Sequence, residues 1–381
     1  AGLGGVYTAI ADDASGLYYN PAGVVYASTP KISGSVNAYN YKTTEYSNLN
    51  SSGHKWTRKS SGMVANYFGV VQPLGNSSVG FSIAIPNYDF EDQSDEFSNF
   101  KASNRLNTAL GINTIDKNLI DFNNEDNTTL AGVSYAQAVS DTFSLGLTLY
   151  GYMRKKETSN WQYIKATGTQ GKDGNGNTPT IFEGTVYQKI QTEEFGLQPR
   201  FGLMWAPAPK WSVGLMAQTT FILSQSPEAR NYARYSACEQ DAGNSNQYTD
   251  CTTYDGNIDQ LDLGQANSPT LKDTKDNDLP FETNLGVAYF ASDALLYTAD
   301  FSYATKTDVY EATWNVAGGA EYFLNQSWAL RGCLYTPNAN PRSSEHTSEL
   351  PSPYAIVCRL LLENPQNLKN PKHPNKPKTH H

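Results

Sequence analysis

Alternation with a period of two, repeated along most of the chain, restricts the fold more than any other feature. In Val79–Ile85 the odd positions hold Val79, Phe81, Ile83 and Ile85, and the even positions hold Gly80, Ser82 and Ala84. Phe143, Leu145, Leu147 and Leu149 alternate with Ser144, Gly146 and Thr148. Phe195, Leu197, Phe201, Leu203 and Trp205 alternate with Gly196, Gln198, Arg200 and Gly202. Trp211, Val213, Leu215, Ala217 and Phe221 do so with Ser212, Gly214 and Gln218. Successive side chains of a strand point to opposite faces, so each segment has one oily face and one small or polar face. The pattern predicts about eleven strands, at 31–42, 62–72, 77–87, 128–139, 142–156, 191–206, 210–223, 281–290, 294–306, 314–324 and 328–336. Several exceed the usual soluble strand and suit a tilted membrane crossing of about 9–11 residues.

The connections alternate as well. Short turns fall near Pro73–Asn76, Ser140–Asp141, Ala206–Pro209, Ala291–Asp293 and Asn325–Ser327. Long polar stretches fall near 43–61, 88–127, 157–190 and 224–280, with a shorter link at 307–313. Short turns at one end and long loops at the other are the pattern of a transmembrane β-barrel. A soluble sandwich would share the alternation, but it does not account for loops that are long at one end only. The mean hydropathy is -0.53, and no apolar run approaches the length of about 20 residues that a membrane helix requires. A barrel needs no such run, because only every second residue meets lipid. Trp205, Trp211, Tyr289, Tyr297, Trp314, Tyr322, Trp328 and Tyr335 recur near strand ends, where interfacial aromatics belong. On the opposite face Arg200, Gln218, Asp300, Glu321 and Arg331 would be expensive against lipid, so they are expected to face the lumen.

The net charge of -9 and the absence of a basic stripe argue against nucleic acid as a partner. The chain opens without Met or a signal peptide, as expected of a mature or shortened exported protein. Residues 1–30 differ in character from the remainder of the chain: they are rich in Gly and Ala and do not alternate cleanly. Asp12 and Asp13 are placed to cap a short helix over Ala14–Tyr19. Asn20–Pro21 should end it, because a residue before proline disfavours the helical region. Gly23 permits a tight turn. The expected result is a compact piece inside the barrel.

Ala11–Ser15 followed by Leu17–Gly23, with the triplet Asn20, Pro21, Ala22, resembles the N-terminal signature of the FadL/TodX outer-membrane transport family. The segments KWSVGLMA (210–217) and EYFLNQSWALRG (321–332) look like strand–turn patterns of that family. The resemblance implies an all-β, antiparallel transmembrane barrel of 14 strands with an N-terminal hatch. It implies a bacterial outer-membrane location beside lipids and lipopolysaccharide, a monomeric barrel, and passive import of long-chain fatty acids or other hydrophobic compounds without enzymatic chemistry. A capture surface is then expected within 88–127, with Phe97, Phe100, Leu106, Leu110 and Ile115 as its apolar residues, some at helical spacing. Family members also have an inward kink in the third strand, contacted by the Asn-Pro-Ala region. The nearest counterpart here is Ile85-Pro86-Asn87, close to the outer end of the strand. A general porin for small polar solutes is the rival reading.

Eleven strands would leave three missing from the C-terminal end, so 31–340 reads as an incomplete barrel. After Asn340 the character changes, and Arg342–Glu363 looks like a translated sequencing-adapter fragment joined to the gene. The tail 341–381 is thus expected to be non-native or disordered, and its His residues receive no role. Cys238 and Cys251 share the stretch 224–280 and are candidates for a disulfide, against two free thiols. No compact His/Asp/Ser set or zinc-like spacing occurs, and neither metal nor cofactor is expected. Asp89, Glu91, Asp92, Asp95 and Glu96 read as a solvated loop face, and Gly171–Asn177 as a turn.

Overall fold

The computed structural model describes residues 6–27, 29–49, 54–102, 112–168, 180–241, 244–256, 279–307, 310–325, 328–336 and 355–362. A short helix α1 (Gly16–Tyr19) and a 3-10 helix (Pro21–Tyr26) precede one antiparallel sheet. Its strands are β1 (Lys31–Leu49), β2 (His54–Leu74), β3 (Ser77–Lys101), β4 (Ile112–Ser140), β5 (Phe143–Gly168), β6 (Thr180–Ala208) and β7 (Trp211–Gln218). They continue with β8 (Phe221–Asp241), β9 (Asn244–Gly256), β10 (Glu282–Ser292), β11 (Leu295–Ala304), β12 (Thr313–Asn325), β13 (Trp328–Tyr335) and β14 (Ala355–Leu362). The ladder runs from β1 to β7 and then from β10 to β14, with β8 beside β6 and β9 beside β8. Among the described residues β14 does not pair back to β1, so the ladder is barrel-like but not closed.

All eleven expected strands are present, and the five short turns fall at the hairpins β2–β3, β4–β5, β6–β7, β10–β11 and β12–β13. The other three strands were not expected. Two of them arise in the stretch 224–280. There β8 starts against β6 in the register of β7 (Arg200↔Gln218, Leu197↔Phe221) and slips by one residue between Gly196 and Phe195, so β7 and β8 follow one line along β6, interrupted at Thr219–Thr220. Pro199, which has no N–H to donate, stands opposite the interruption. The third is β14, inside the tail: the apolar run AIVCRLLL lies along the edge of β13. The count of fourteen is therefore not the fourteen-strand wall of the resemblance.

Within the stretches 88–127 and 157–190, the segments 88–101, 112–127, 157–168 and 180–190 are also corrected from loop to strand. β3, β4, β5 and β6 are 25, 29, 26 and 29 residues long. At about 3.3 Å per residue the longest reaches about 95 Å, far more than one lipid crossing. Over much of these extensions polar side chains stand on both faces, so they carry no sustained hydrophobic alternation. Cross-strand polar pairs accompany the backbone ladder instead: Lys155–Glu125 at 3.0 Å, Lys189–Glu157 at 2.8 Å and Thr158–Asn124 at 2.8 Å.

The burial of the two faces is the inverse of a water-soluble sheet. On β5 the apolar Leu147 and Leu149 are exposed, whereas Ser144, Thr148 and Tyr150 of the alternate positions are wholly buried. Val133, Phe195, Phe201, Trp205, Leu285, Phe301 and Val316 continue the exposed apolar face. Residues 6–27 lie on the other, interior face and touch eight neighbouring strands, β2 to β7, β10 and β11.

Candidate functional site

The interior segment is organised by Asn20. Its backbone is extended (φ -157°, ψ 101°), as the following proline requires, and it ends α1. Pro21 opens the 3-10 helix, where its missing N–H costs nothing. The Asn20 side chain is fully buried and completely used. Its Nδ2 donates to Thr8 O at 2.8 Å and to Leu203 O of β6 at 3.0 Å, and its Oδ1 accepts from Ala22 N at 3.1 Å. One amide thus ties two parts of the segment to each other and to the wall. The helix begins at Gly16, with Ser15 at its N-cap, later than Ala14. Asp13 does not cap it directly; its Oδ1 accepts from Ser15 N at 2.7 Å. Gly23 lies within the 3-10 helix rather than at a tight turn, and the position needs glycine for space, since a Cβ there would collide with Ala11 O and with Met204 Sδ.

The wall holds the segment mainly by its backbone. Ser144 Oγ donates to Ala22 O (2.8 Å), Thr148 Oγ1 to Leu17 O (2.9 Å), Ser212 Oγ to Ala9 O (2.7 Å), and Tyr67 OH to Ala14 O. Asp300 on β11 accepts three bonds at one oxygen, from Tyr7 N (3.1 Å), Thr8 N (3.2 Å) and Thr8 Oγ1 (2.8 Å). The wall strands approach closely because they present glycine. A Cβ on Gly146 or Gly202 would overlap Pro21 and Ala22. The Asn-Pro-Ala triplet therefore faces β5 and β6, not the third strand; it is Leu17 that meets Gly80 of β3. Burial, reinforced by Asp13 and Asp12, holds the Tyr7 phenol well above its ordinary value, and burial raises Tyr19 too, so both stay neutral.

Arg200, Asp300, Glu321 and Arg331 all sit on the interior face. Arg331 and Glu321 pair directly at 2.6 Å, Glu321 buried and Arg331 partly so. Arg200 forms no ion pair with a described residue; its guanidinium lies 4.0 Å from the ring centre of Tyr18 and 5.6 Å from that of Tyr150. Above the segment Ala84, Leu130, Tyr150 and Tyr152 pack with Tyr18, Tyr67, Ile222 and Leu279. The register of β5 against β6 runs without a shift, so Ala166 and Phe182 share the face of Thr148 and Arg200. They form a second, outer apolar cluster with Phe100, Ala102 and Ile115, flanked by Phe97 and Tyr235. Phe97, Phe100 and Ile115 are thus brought together, on strands rather than on a helix; Leu106 and Leu110 lie outside the described residues. Between the clusters runs a charged band in which Arg154 holds Asp126 through two bonds (2.9 and 2.7 Å) and approaches Glu194 at 3.9 Å.

One further feature was not read from the sequence. The β2–β3 backbone ladder stops at Tyr67↔Ala84, although both strands continue outward. Pro86 stands within the register shift between Ala84 and Asn87 against β4. Farther out, side chains alone bridge β2 to β3: Gln93 bonds Lys59 N and Thr57 O (both 2.9 Å), and Trp56 bonds Asp95 (2.6 Å). Cys238 and Cys251 are joined across the β8–β9 hairpin. No group of three or more His, Cys, Asp or Glu among the described residues is arranged to hold a metal.

An antiparallel barrel-like sheet with an apolar outer face and an interior segment is the class that fold and site define. No protein-family profile matches the sequence, and no curated relative does. The fold is similar to that of a TodX deltaS2S3 mutant, a monoaromatic hydrocarbon channel, at 11% identity over 93% of this chain and 88% of that one, with a TM-score of 0.51. The toluene transporter TodX of Pseudomonas putida also aligns, at 11% identity over 87% and 83% with a TM-score of 0.48. So does a FadL homologue of Pseudomonas aeruginosa, at 11% over 91% and 80% with 0.48. At this identity the likeness is one of fold.

Proposed function

We propose that this chain belongs to an outer-membrane channel for passive passage of hydrophobic compounds, long-chain fatty acids or others, with residues 6–27 as its hatch. The observation that supports this most is the docking of that segment across eight strands of a wall whose outer face is apolar. A hydrophobic solute is held back by the charged outer leaflet rather than by hydrocarbon. Phe97, Phe100 and Ile115 with Phe182 would capture it, and the tyrosine-lined cluster above the hatch would take it next. Burying an alkyl chain contributes about 0.8 kcal/mol per CH2, so such a site needs no polar chemistry. The unpaired interval between β2 and β3 is the candidate sideways exit. No bond is made or broken, and no cofactor takes part. The working form would be a monomeric 14-stranded barrel surrounded by outer-membrane lipid and lipopolysaccharide.

The test is entry into liposomes of a fluorescent long-chain fatty acid and of toluene, beside a small sugar. Entry of either hydrophobic solute, reduced by Asn20→Ala at equal protein incorporation, is the expected result. Entry of sugar alone would move the assignment to a general porin and make the segment a simple constriction.

A further inference from the structure

Arg200 is among the largest fully buried side chains of the protein, at 2% exposure. It forms no ion pair with any described residue, and its Nε has no hydrogen-bond partner. Its register neighbour Gln218 gives its amide to Glu282 at 2.7 Å; that carboxylate is near enough to attract the Arg200 charge but makes no direct ion pair with it. An unpaired buried cation is normally destabilising. Here two rings compensate it. The guanidinium lies 4.0 Å from the ring centre of Tyr18, on α1 of the interior segment, and 5.6 Å from that of Tyr150, on the wall. Tyr150 also donates to Leu17 O at 3.2 Å, which brings ring, cation and helix to one place. Tyr18 is two residues from Asn20 and packs edge-on against Tyr19 and Tyr67, so a shift of Tyr18 reaches the rest of the segment.

We propose that Arg200 is a positioning residue of the hatch, holding α1 against the wall through the π face of Tyr18 rather than through an anion. This rests on the reading of residues 6–27 as a hatch. A cation over a ring away from water is a strong contact of its kind, and it is lost as soon as Tyr18 leaves. The wall then keeps a buried charge with one ring, so release of α1 is opposed by the charge as well as by lost packing.

The test is amide exchange over residues 16–26 in the full chain, reconstituted in phosphatidylcholine vesicles. Variants are Tyr18→Phe, Tyr18→Leu, Arg200→Lys, Arg200→Gln and the double Tyr18→Leu/Arg200→Gln. Tyr18→Phe should exchange like the parent, and Arg200→Lys should fall between the parent and Arg200→Gln. Tyr18→Leu and Arg200→Gln should each speed exchange about 10- to 30-fold, and the double variant should go no further than the faster single. Independent, multiplying effects of the two single changes would overturn the proposal, as would equal exchange in Tyr18→Phe and Tyr18→Leu. If Arg200→Gln fails to assemble, the Tyr18→Phe and Tyr18→Leu comparison decides alone. Unprotected exchange over 16–26 in the parent chain would instead refute the hatch itself.

Discussion

Replacing Asn20 by Ala tests whether one amide keeps the interior segment in place. The substitution removes three hydrogen bonds in a fully buried setting, to Thr8 O, to Leu203 O and from Ala22 N. At about 1 kcal/mol net per bond the segment loses about 3 kcal/mol, which raises its open population about 100-fold. Asn20→Asp keeps the acceptor for Ala22 N but sets a carboxylate against two carbonyl oxygens, so its effect should be at least as large. The assay is thermolysin nicking within residues 6–27 under native conditions. Where opening and closing are fast, the nicking rate follows the open population. Circular dichroism reports whether the wall strands remain. Unchanged dichroism with much faster nicking is expected. Nicking within threefold of the parent in both variants would refute the assignment of Asn20 as the hub.

Asp300→Asn should loosen the start of the segment about tenfold, because three charge-assisted bonds become neutral ones; amide exchange at Tyr7 and Thr8 reads this. Leu147→Lys, on the exposed apolar face, should lower wall stability in vesicles by about 2–4 kcal/mol if that face meets the lipid midplane. Reversible unfolding would measure it, and a change near zero would place Leu147 in water. Reducing Cys238–Cys251 should speed exchange in the β8–β9 hairpin by an amount corresponding to about 3 kcal/mol at most, with β5 and β10 unaffected.

The wall strands were legible where one face is apolar and the other small or polar. Phe143, Leu145, Leu147 and Leu149 against Ser144, Gly146 and Thr148 gave β5 its first half. Its second half, from Lys155 to Gly168, has no such contrast, since polar side chains serve on both faces, and the periodicity is silent there. The same applies to Asp89–Lys101 on β3, whose acidic residues read as loop but align with β4. The tail strand β14 shows that an apolar run can pair along an open edge whatever its surroundings suggest. At the site, Asn20 could be singled out because a proline follows it and the pattern is recognisable. Ser144, Thr148, Tyr67 and Ser212 could not, because a hydroxyl on the small face of a strand has the same appearance whether it bonds water or a carbonyl. Asp300 was legible as an interior charge; that it receives the backbone of Tyr7 and Thr8 depends on contacts nearly three hundred residues apart.

The contacts of the wall with the segment fall mostly on carbonyl oxygens, at Ala9, Ala14, Leu17 and Ala22. A carbonyl is the same chemical group in every residue. The wall therefore recognises the path of the segment more than its spelling, provided the side chains stay small where Gly80, Gly146, Gly202 and Gly214 press against it. Mutational drift can then rewrite much of the segment without undocking it, while Asn20, which bonds through its side chain, has little freedom. Shared architecture at 11% identity is what such a division of labour permits. It also suggests a practical route: a separate peptide with the same backbone course and small side chains, but otherwise unrelated sequence, should seat in a wall from which residues 1–27 have been removed.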